Sequence, residues 1–115
     1  MTAADEIDAR TFWKAIGCRA IGVAICTARG TDGPAGFLAL SATHLSASPP
    51  MMMVSIGLTT SALAAVRQGN HFAINYVPKG SEALVKEFGG GGSLKGADRF
   101  LPGAWGTLKS GAPTL

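Results

Sequence analysis

In VSIGLTTSALAAV, residues 54–66, a β-rich segment meets a glycine and then three hydroxyl side chains, Thr59, Thr60 and Ser61, ahead of a helix-forming run. Hydroxyls beside the free N–H groups of a helix start are a donor set that suits a phosphate. The same spacing serves plain helix capping by Thr60, and most helices begin this way. A second stretch, GFLALSATHLSASPP at 36–50, turns from apolar to small and polar, with Ser41, Thr43 and His44 beside Ala39 and Ala42. Small side chains leave peptide N–H and C=O groups open to a flat ligand. His44 has three readings there, as a structural histidine, a surface residue or a proton donor, because no Asp, Glu or Cys lies at triad or metal-ligand spacing.

Asn75, inside HFAINYV, is an amide in a strand interior and needs partners, either backbone groups or a ligand. His71, at the start of that segment, reads as an exposed edge residue. Met51, Met52 and Met53 alternate faces along a strand and cannot converge on a soft metal, so they read as core and interface filling. Cys18 and Cys26 have neither a second pair nor a His at ligand spacing, which supports no zinc site and no disulfide framework and leaves two reduced thiols. No metal site is expected.

The elements that must position these residues follow from periodicity and punctuation. Ile7, Phe12, Trp13 and Ile16 recur loosely at helical spacing over 5–16, with Gly17 where a left-handed cap would sit. AIGVAICTA reads as a strand, RGTDGPAG as a hairpin turn and GFLALS as the returning strand. Thr43 to Ala47 is a further short strand or an irregular continuation, Pro49 and Pro50 mark a bend, and MMMVSIG resumes as a strand. LTTSALAAVRQGN reads as a helix stopped by Gly69, HFAINYV as a strand, and SEALVKEFGG as a helix from Ser81 to Gly89. From Leu94 to Leu115 the periodicity fails and the chain reads as a meander. The first strands leave no room for a crossover helix, so the pattern predicts a mainly antiparallel β protein, a small barrel or strongly curled sheet decorated by short helices.

At 115 residues the chain has the length of one domain. Charged residues make up 15% and hydrophobic residues 47%, which excludes a disordered chain and predicts extensive burial, in part against another copy. The formal charge is +3, but the basic residues are scattered and form no nucleic-acid stripe; the balance permits a small anionic ligand. The acidic start MTAADEIDAR is unlike a signal peptide and no stretch reads as a membrane span, so a cytoplasmic protein without nucleic-acid or membrane partners is expected.

Taken together, GVAICTARGTDGPAGFLALSATHLSASPPMMMVSIG, TTSALAAVRQGNHFAINYV, the DRF of 98–100 and the closing SGAPTL resemble the flavin reductase-like family in order and spacing. These are FMN-binding split barrels that include the reductase components of two-component flavin monooxygenases. The resemblance runs from about the first helix to the last residue. It implies a mainly β fold, an antiparallel split β-barrel with short inserted helices, over a single domain of residues 1–115. It also implies a flavin, FMN or FAD, whose isoalloxazine ring lies along the backbone of Leu38, Ala39, Leu40 and Ser41, with Thr43 and His44 nearby. Its phosphate would sit at Thr59, Thr60 and Ser61, and Ser55 and Asn75 complete the implied cofactor-binding set.

The chain departs from the family pattern in three places. Leu38 and Leu40 stand where the family commonly has Thr and then Ser or Asn, so backbone groups must take over those ring contacts. Leu58 stands where a basic residue often precedes the hydroxyls. Relatives continue past SGAPTL through strands that close the barrel and carry a His-containing segment, so the barrel is expected to be incomplete at the C-terminus, with the chain a fragment or completed by another chain.

The implied activity is hydride transfer from NADH or NADPH to the flavin in a homodimer that supplies reduced flavin to a partner monooxygenase. No side chain need act as acid or base for that step, and no catalytic residue is assigned. Two rival expectations are a non-enzymatic flavin-binding or electron-carrier module and a structural fragment without a flavin site.

Overall fold

In the computed structural model, which describes residues 6–115, the hairpin signal RGTDGPAG resolves into a turn of only two residues. Strand β1 (Ala24–Gly30) runs to Gly30, β2 (Gly33–Ala39) begins at Gly33, and Thr31 and Asp32 make the reversal. Gly33 adopts φ 104°, a conformation that only glycine takes without strain. The expected first strand therefore starts later, at Ala24 rather than Ala20, and the second starts earlier and includes Pro34. The proline is tolerated because β2 is the edge of a sheet ordered β2-β1-β5, where β5 is Ala73–Tyr76 and both pairings are antiparallel.

Strand alternation divides this sheet into two faces. On one, Ala24, Cys26 and Ala39 form a buried cluster joined by Phe37, Ala42, Val54 and Ile74. On the other, Ile25 stands between Leu38 and Asn75, and Thr27 between Gly36 and Ala73. Gly36 has no side chain because aromatic rings lie against it: a Cβ there would stand 2.9 Å from Phe88 and 3.2 Å from Phe100. Phe88 ends helix α3 (Glu82–Phe88), Phe100 ends a 3-10 helix (Gly96–Phe100), and the two rings pack edge to face at 5.1 Å.

Strand β3 (Thr43–Ala47) pairs with β4 (Pro50–Met53) as a separate two-stranded ribbon, with a bulge between His44 and Ser46. The strand expected over 51–57 thus stops at Met53. Met51, Met52 and Met53 are exposed on this ribbon and fill no core, because among the described residues no other strand or helix closes over it. The segment expected to meander holds the 3-10 helix and a small ribbon of β6 (Gly106–Thr107) and β7 (Pro113–Thr114). The three sheets are mainly antiparallel and do not close into a barrel among the described residues.

Helix α1 (Ala9–Ile16) starts at Asp8, whose Oδ1 accepts the Thr11 N–H at 2.7 Å. That backbone bond holds the Asp8 carboxyl below its ordinary range. The start of the predicted helix, residue 5, lies outside the described residues. Gly17 is right-handed at φ −67° and is no left-handed cap. The left-handed cap belongs to α2 (Leu63–Gly69), where Asn70 takes φ 53° one residue beyond the expected stop. No helix among the described residues is long and apolar enough to cross a membrane.

Candidate functional site

Thr43 pairs with Met53 at the open end of the β3–β4 ribbon, so the chain enters the ribbon through 38–42 and leaves it through 54–61 at one place. Ala39, Ala42 and Val54 meet there in the same buried cluster. The ribbon thus sets the small-residue corner beside Val54, the first residue of the segment that leads on to the hydroxyl turn.

Within the corner, Ala39 is buried against β1, while Leu38 and Leu40 face the other way. Leu38 lies beneath the end of α3, with a methyl 3.3 Å from where a Cβ on Gly89 would stand. Leu40 and Ser41 are exposed, as are Thr43 and His44 at the start of β3 and Ser55 after β4. In the following turn the Thr60 N–H donates to the Gly57 carbonyl at 3.0 Å, and the Leu63 N–H to the Thr60 carbonyl at 3.0 Å. Helix α2 begins only at Leu63, with Ala62 as cap residue and no side-chain capping bond. Capping by the Thr60 hydroxyl, one of the two readings of its spacing, is therefore absent. Among the described residues, the hydroxyls of Thr59, Thr60 and Ser61 are held by no other group.

Between α1 and the corner lies a cavity of about 310 Å³ walled by Phe12, Trp13, Ile16, Ile21 and Leu40, with Arg19 and Ser41 as polar members. Its volume lies at the small end of the usual range for small-molecule sites. The apolar cavity, with exposed Leu40 and Ser41 on its wall, suits a flavin ring, which is apolar on its faces, and the uncommitted hydroxyls of 59–61 are of the donor type a flavin phosphate takes. Sequence reasoning placed Phe12 and Trp13 on an amphipathic helix and missed the cavity. Nothing local in the helix pattern signals it, because the cavity's other wall, Leu40 and Ser41, lies far along the chain.

Asn75 is placed elsewhere. Only 7% exposed, it donates through Nδ2 to the Ile25 carbonyl at 3.0 Å and to Thr27 Oγ1 at 3.2 Å, and its Oδ1 accepts the Leu115 N–H at 2.9 Å. Thr27 Oγ1 donates in turn to the Pro113 carbonyl at 2.6 Å, and Arg29 Nε to the Gly111 carbonyl at 2.8 Å. The two open readings of Asn75 resolve toward protein partners, and both its donors are committed. Thr27 and Arg29 went unnoticed in the sequence because each is an ordinary strand residue until the distant segment 111–115 arrives.

The histidines and cysteines stand apart from one another. His71 is partly buried and no exposed edge: it lies between α2 and β5, with Nδ1 2.7 Å from the Gly69 carbonyl oxygen. Cys18 is exposed, whereas Cys26 is fully buried, and burial pushes its thiol up to about 11.

The arrangement of sheet, ribbon and short helices has counterparts among known proteins. The chain belongs to the flavin reductase-like family, since residues 16–115 match its flavin reductase like domain. One relative is an FMN reductase (NADH), RutF 1, of Methylorubrum extorquens, 36% identical over 114 residues. The alignment takes in 99% of this chain and 56% of that protein, so the chain spans about half the length of the curated relatives it matches. Among solved structures, the NADH:FAD oxidoreductase SgcE6 of Streptomyces globisporus superimposes with a TM-score of 0.80 at 25% identity, covering 99% of this chain and 69% of that one. A nitrilotriacetate monooxygenase component B homolog from Mycobacterium thermoresistibile gives a TM-score of 0.79 at 26% identity, covering 90% and 56%. The fold is that of the flavin reductase split barrels, as the resemblance implied.

Proposed function

We propose that residues 1–115 act as one flavin-binding domain of an NAD(P)H-dependent flavin reductase, which moves a hydride from NADH or NADPH to FMN or FAD and yields reduced flavin for a partner monooxygenase. The observation that carries this reading is the apolar cavity whose wall includes Leu40 and Ser41 of the corner. The names of the relatives favour NADH as donor and a monooxygenase as acceptor. A bound flavin supplies the electron chemistry, and the protein supplies binding, orientation and exclusion of water. Backbone groups of Leu38, Ala39, Leu40 and Ser41 line the ring edge, Thr43, His44 and Ser55 flank it, and Thr59, Thr60 and Ser61 receive the phosphate. Asn75 acts on this site only through the sheet, by fixing β1 beside β2.

A homodimer belongs to the same reading. Leu45 and Met51 to Met53 are exposed on a ribbon that no other strand or helix among the described residues closes over, and a second copy is the partner that would bury them. A cytoplasmic location goes with two free thiols and nicotinamide donors.

Equilibrium dialysis with FMN and FAD, followed by NADH oxidation with and without flavin, tests the proposal. Saturable binding and flavin-dependent oxidation above the free-flavin background are expected. Binding without oxidation would leave a flavin carrier, and no binding of either flavin at high concentration would sink both. Within that assay, Thr60→Ala combined with Ser61→Ala is expected to weaken FMN about tenfold while leaving riboflavin nearly unchanged, the discrimination of roughly one charge-assisted hydrogen bond. Equal loss of both ligands would show that the turn holds no phosphate.

A further inference from the structure

Helix α1 has no buried residue, yet it carries Phe12 and Trp13 packed edge to face at 5.4 Å. Trp13 is 62% exposed, an unusual state for the largest apolar side chain of its element. The exposure has a direction, because Phe12, Trp13 and Ile16 line the cavity whose far wall is Leu40 and Ser41, two residues of the flavin corner. A helix held over a corner by a gap, and not by packing, is arranged to grip a flat body between them.

We propose that Trp13, with Phe12 behind it and Leu40 opposite, forms the apolar wall against which the flavin ring is seated, if the corner receives a flavin as proposed above. Three observations support the ring as the occupant. The cavity is continuous with the corner through Leu40 and Ser41. Its lining is mainly apolar and aromatic, which suits the face of a fused heterocycle. Its one ionisable lining residue, Arg19, is exposed and brings a fork of N–H donors that matches the carbonyl edge of such a ring. Trp13 also takes on a task that Leu38 and Leu40 cannot perform by side-chain hydrogen bonding, that of setting ring affinity by stacking.

The test separates ring from phosphate and ring from protein partner. Trp13→Ala and Trp13→Phe are made in the full chain, their folding is checked by circular dichroism, and riboflavin and FMN dissociation constants are measured by equilibrium dialysis. Trp13→Ala is expected to raise both constants by the same factor, about tenfold, and Trp13→Phe to stay within about threefold of the unaltered protein. Flavin should also quench a part of the tryptophan emission that is missing in Trp13→Phe, where Trp105 alone remains. Unchanged affinities in a folded Trp13→Ala protein overturn the assignment while leaving the flavin reading intact. So does a change confined to the sedimentation behaviour, which would make α1 a contact between copies. Absence of flavin binding in the unaltered protein removes the flavin reading itself, and the wall with it.

Discussion

The three-stranded sheet β2-β1-β5 and the ribbon β3–β4 with its neighbour α1 are built on opposite plans. In the sheet, small residues close one face, aromatic rings close the other, and the buried amide of Asn75 is satisfied by Ile25, Thr27 and Leu115. In the ribbon and α1, Phe12, Trp13, Leu40, Leu45 and three methionines are exposed, and the hydroxyls of the adjoining turn have no partner among the described residues. Buried polar groups left unpaired and apolar groups left wet both cost free energy. The sheet is therefore largely satisfied by its own chain, with His71 Nε2 and Trp105 Nε1 beside it as unpaired exceptions, whereas the ribbon side exposes apolar groups that nothing among the described residues fully covers. Stability should respond to changes in the first region, and binding and assembly to changes in the second.

The strongest strain on that division is Gly36→Val. Its Cβ would meet Phe88 at 2.9 Å and the Cys26 carbonyl oxygen at 3.1 Å, so the aromatic lid must lift or β2 must shift. A loss of about 3 kcal/mol in urea unfolding is expected, despite the higher strand propensity of valine. A neutral result would mean that the rings do not lie on the sheet.

Next in size is the alkaline limb. Cys26 is fully buried, and its thiol rises from an ordinary 9.0 to about 11 in the folded protein. The unfolded chain thus loses this proton first as pH rises, so the contribution is whole below pH 9 and disappears between pH 9 and 11. The total is on the order of 2 kcal/mol. Cys26→Ala should start less stable and lose less over that interval; parallel curves for the two proteins would show that the thiol is not the titrating group.

Asn75→Ala should cost about 2 kcal/mol, because it strips the Leu115 N–H of its acceptor and Thr27 of a donor. Native-state hydrogen exchange is the sharper readout, with the amide of Leu115 expected to lose its protection. If stability falls while that protection persists, Asn75 supports the sheet without fastening the C-terminal segment.

The contrast between the regions also explains what the sequence revealed. The sheet's hairpin was legible from Asp-Gly and Gly-Pro, since turn chemistry is local. Its boundaries were not, because Gly33 and Pro34 look like loop residues until an edge position makes them acceptable in a strand. The candidate site was legible as two stretches of unusual composition, at 38–44 and 59–61, whereas the pairing of Thr43 with Met53, which sets the first stretch beside the exit of β4, appears only in the fold. The cavity beneath α1 was illegible because it depends on where a helix comes to rest against residues far along the chain. For Asn75 the reading stayed open between backbone groups and a ligand, because an amide in a strand demands partners and the strand pattern does not say what provides them.

The smallest expected effect on folding is the one that tests the ribbon. Met52 is paired with His44 on an exposed strand, so Met52→Lys removes little packing among the described residues. Stability measured at low protein concentration should change by less than about 0.5 kcal/mol, as for other exposed positions. If the ribbon is the contact of the proposed homodimer, sedimentation velocity should nonetheless show dissociation at higher concentration than in the unaltered protein, because two lysines would be brought to one apolar contact. An unchanged association constant would place the contact between copies elsewhere, and a large loss of stability in the monomer would mean that the ribbon is packed against its own chain, erasing the distinction between the two regions.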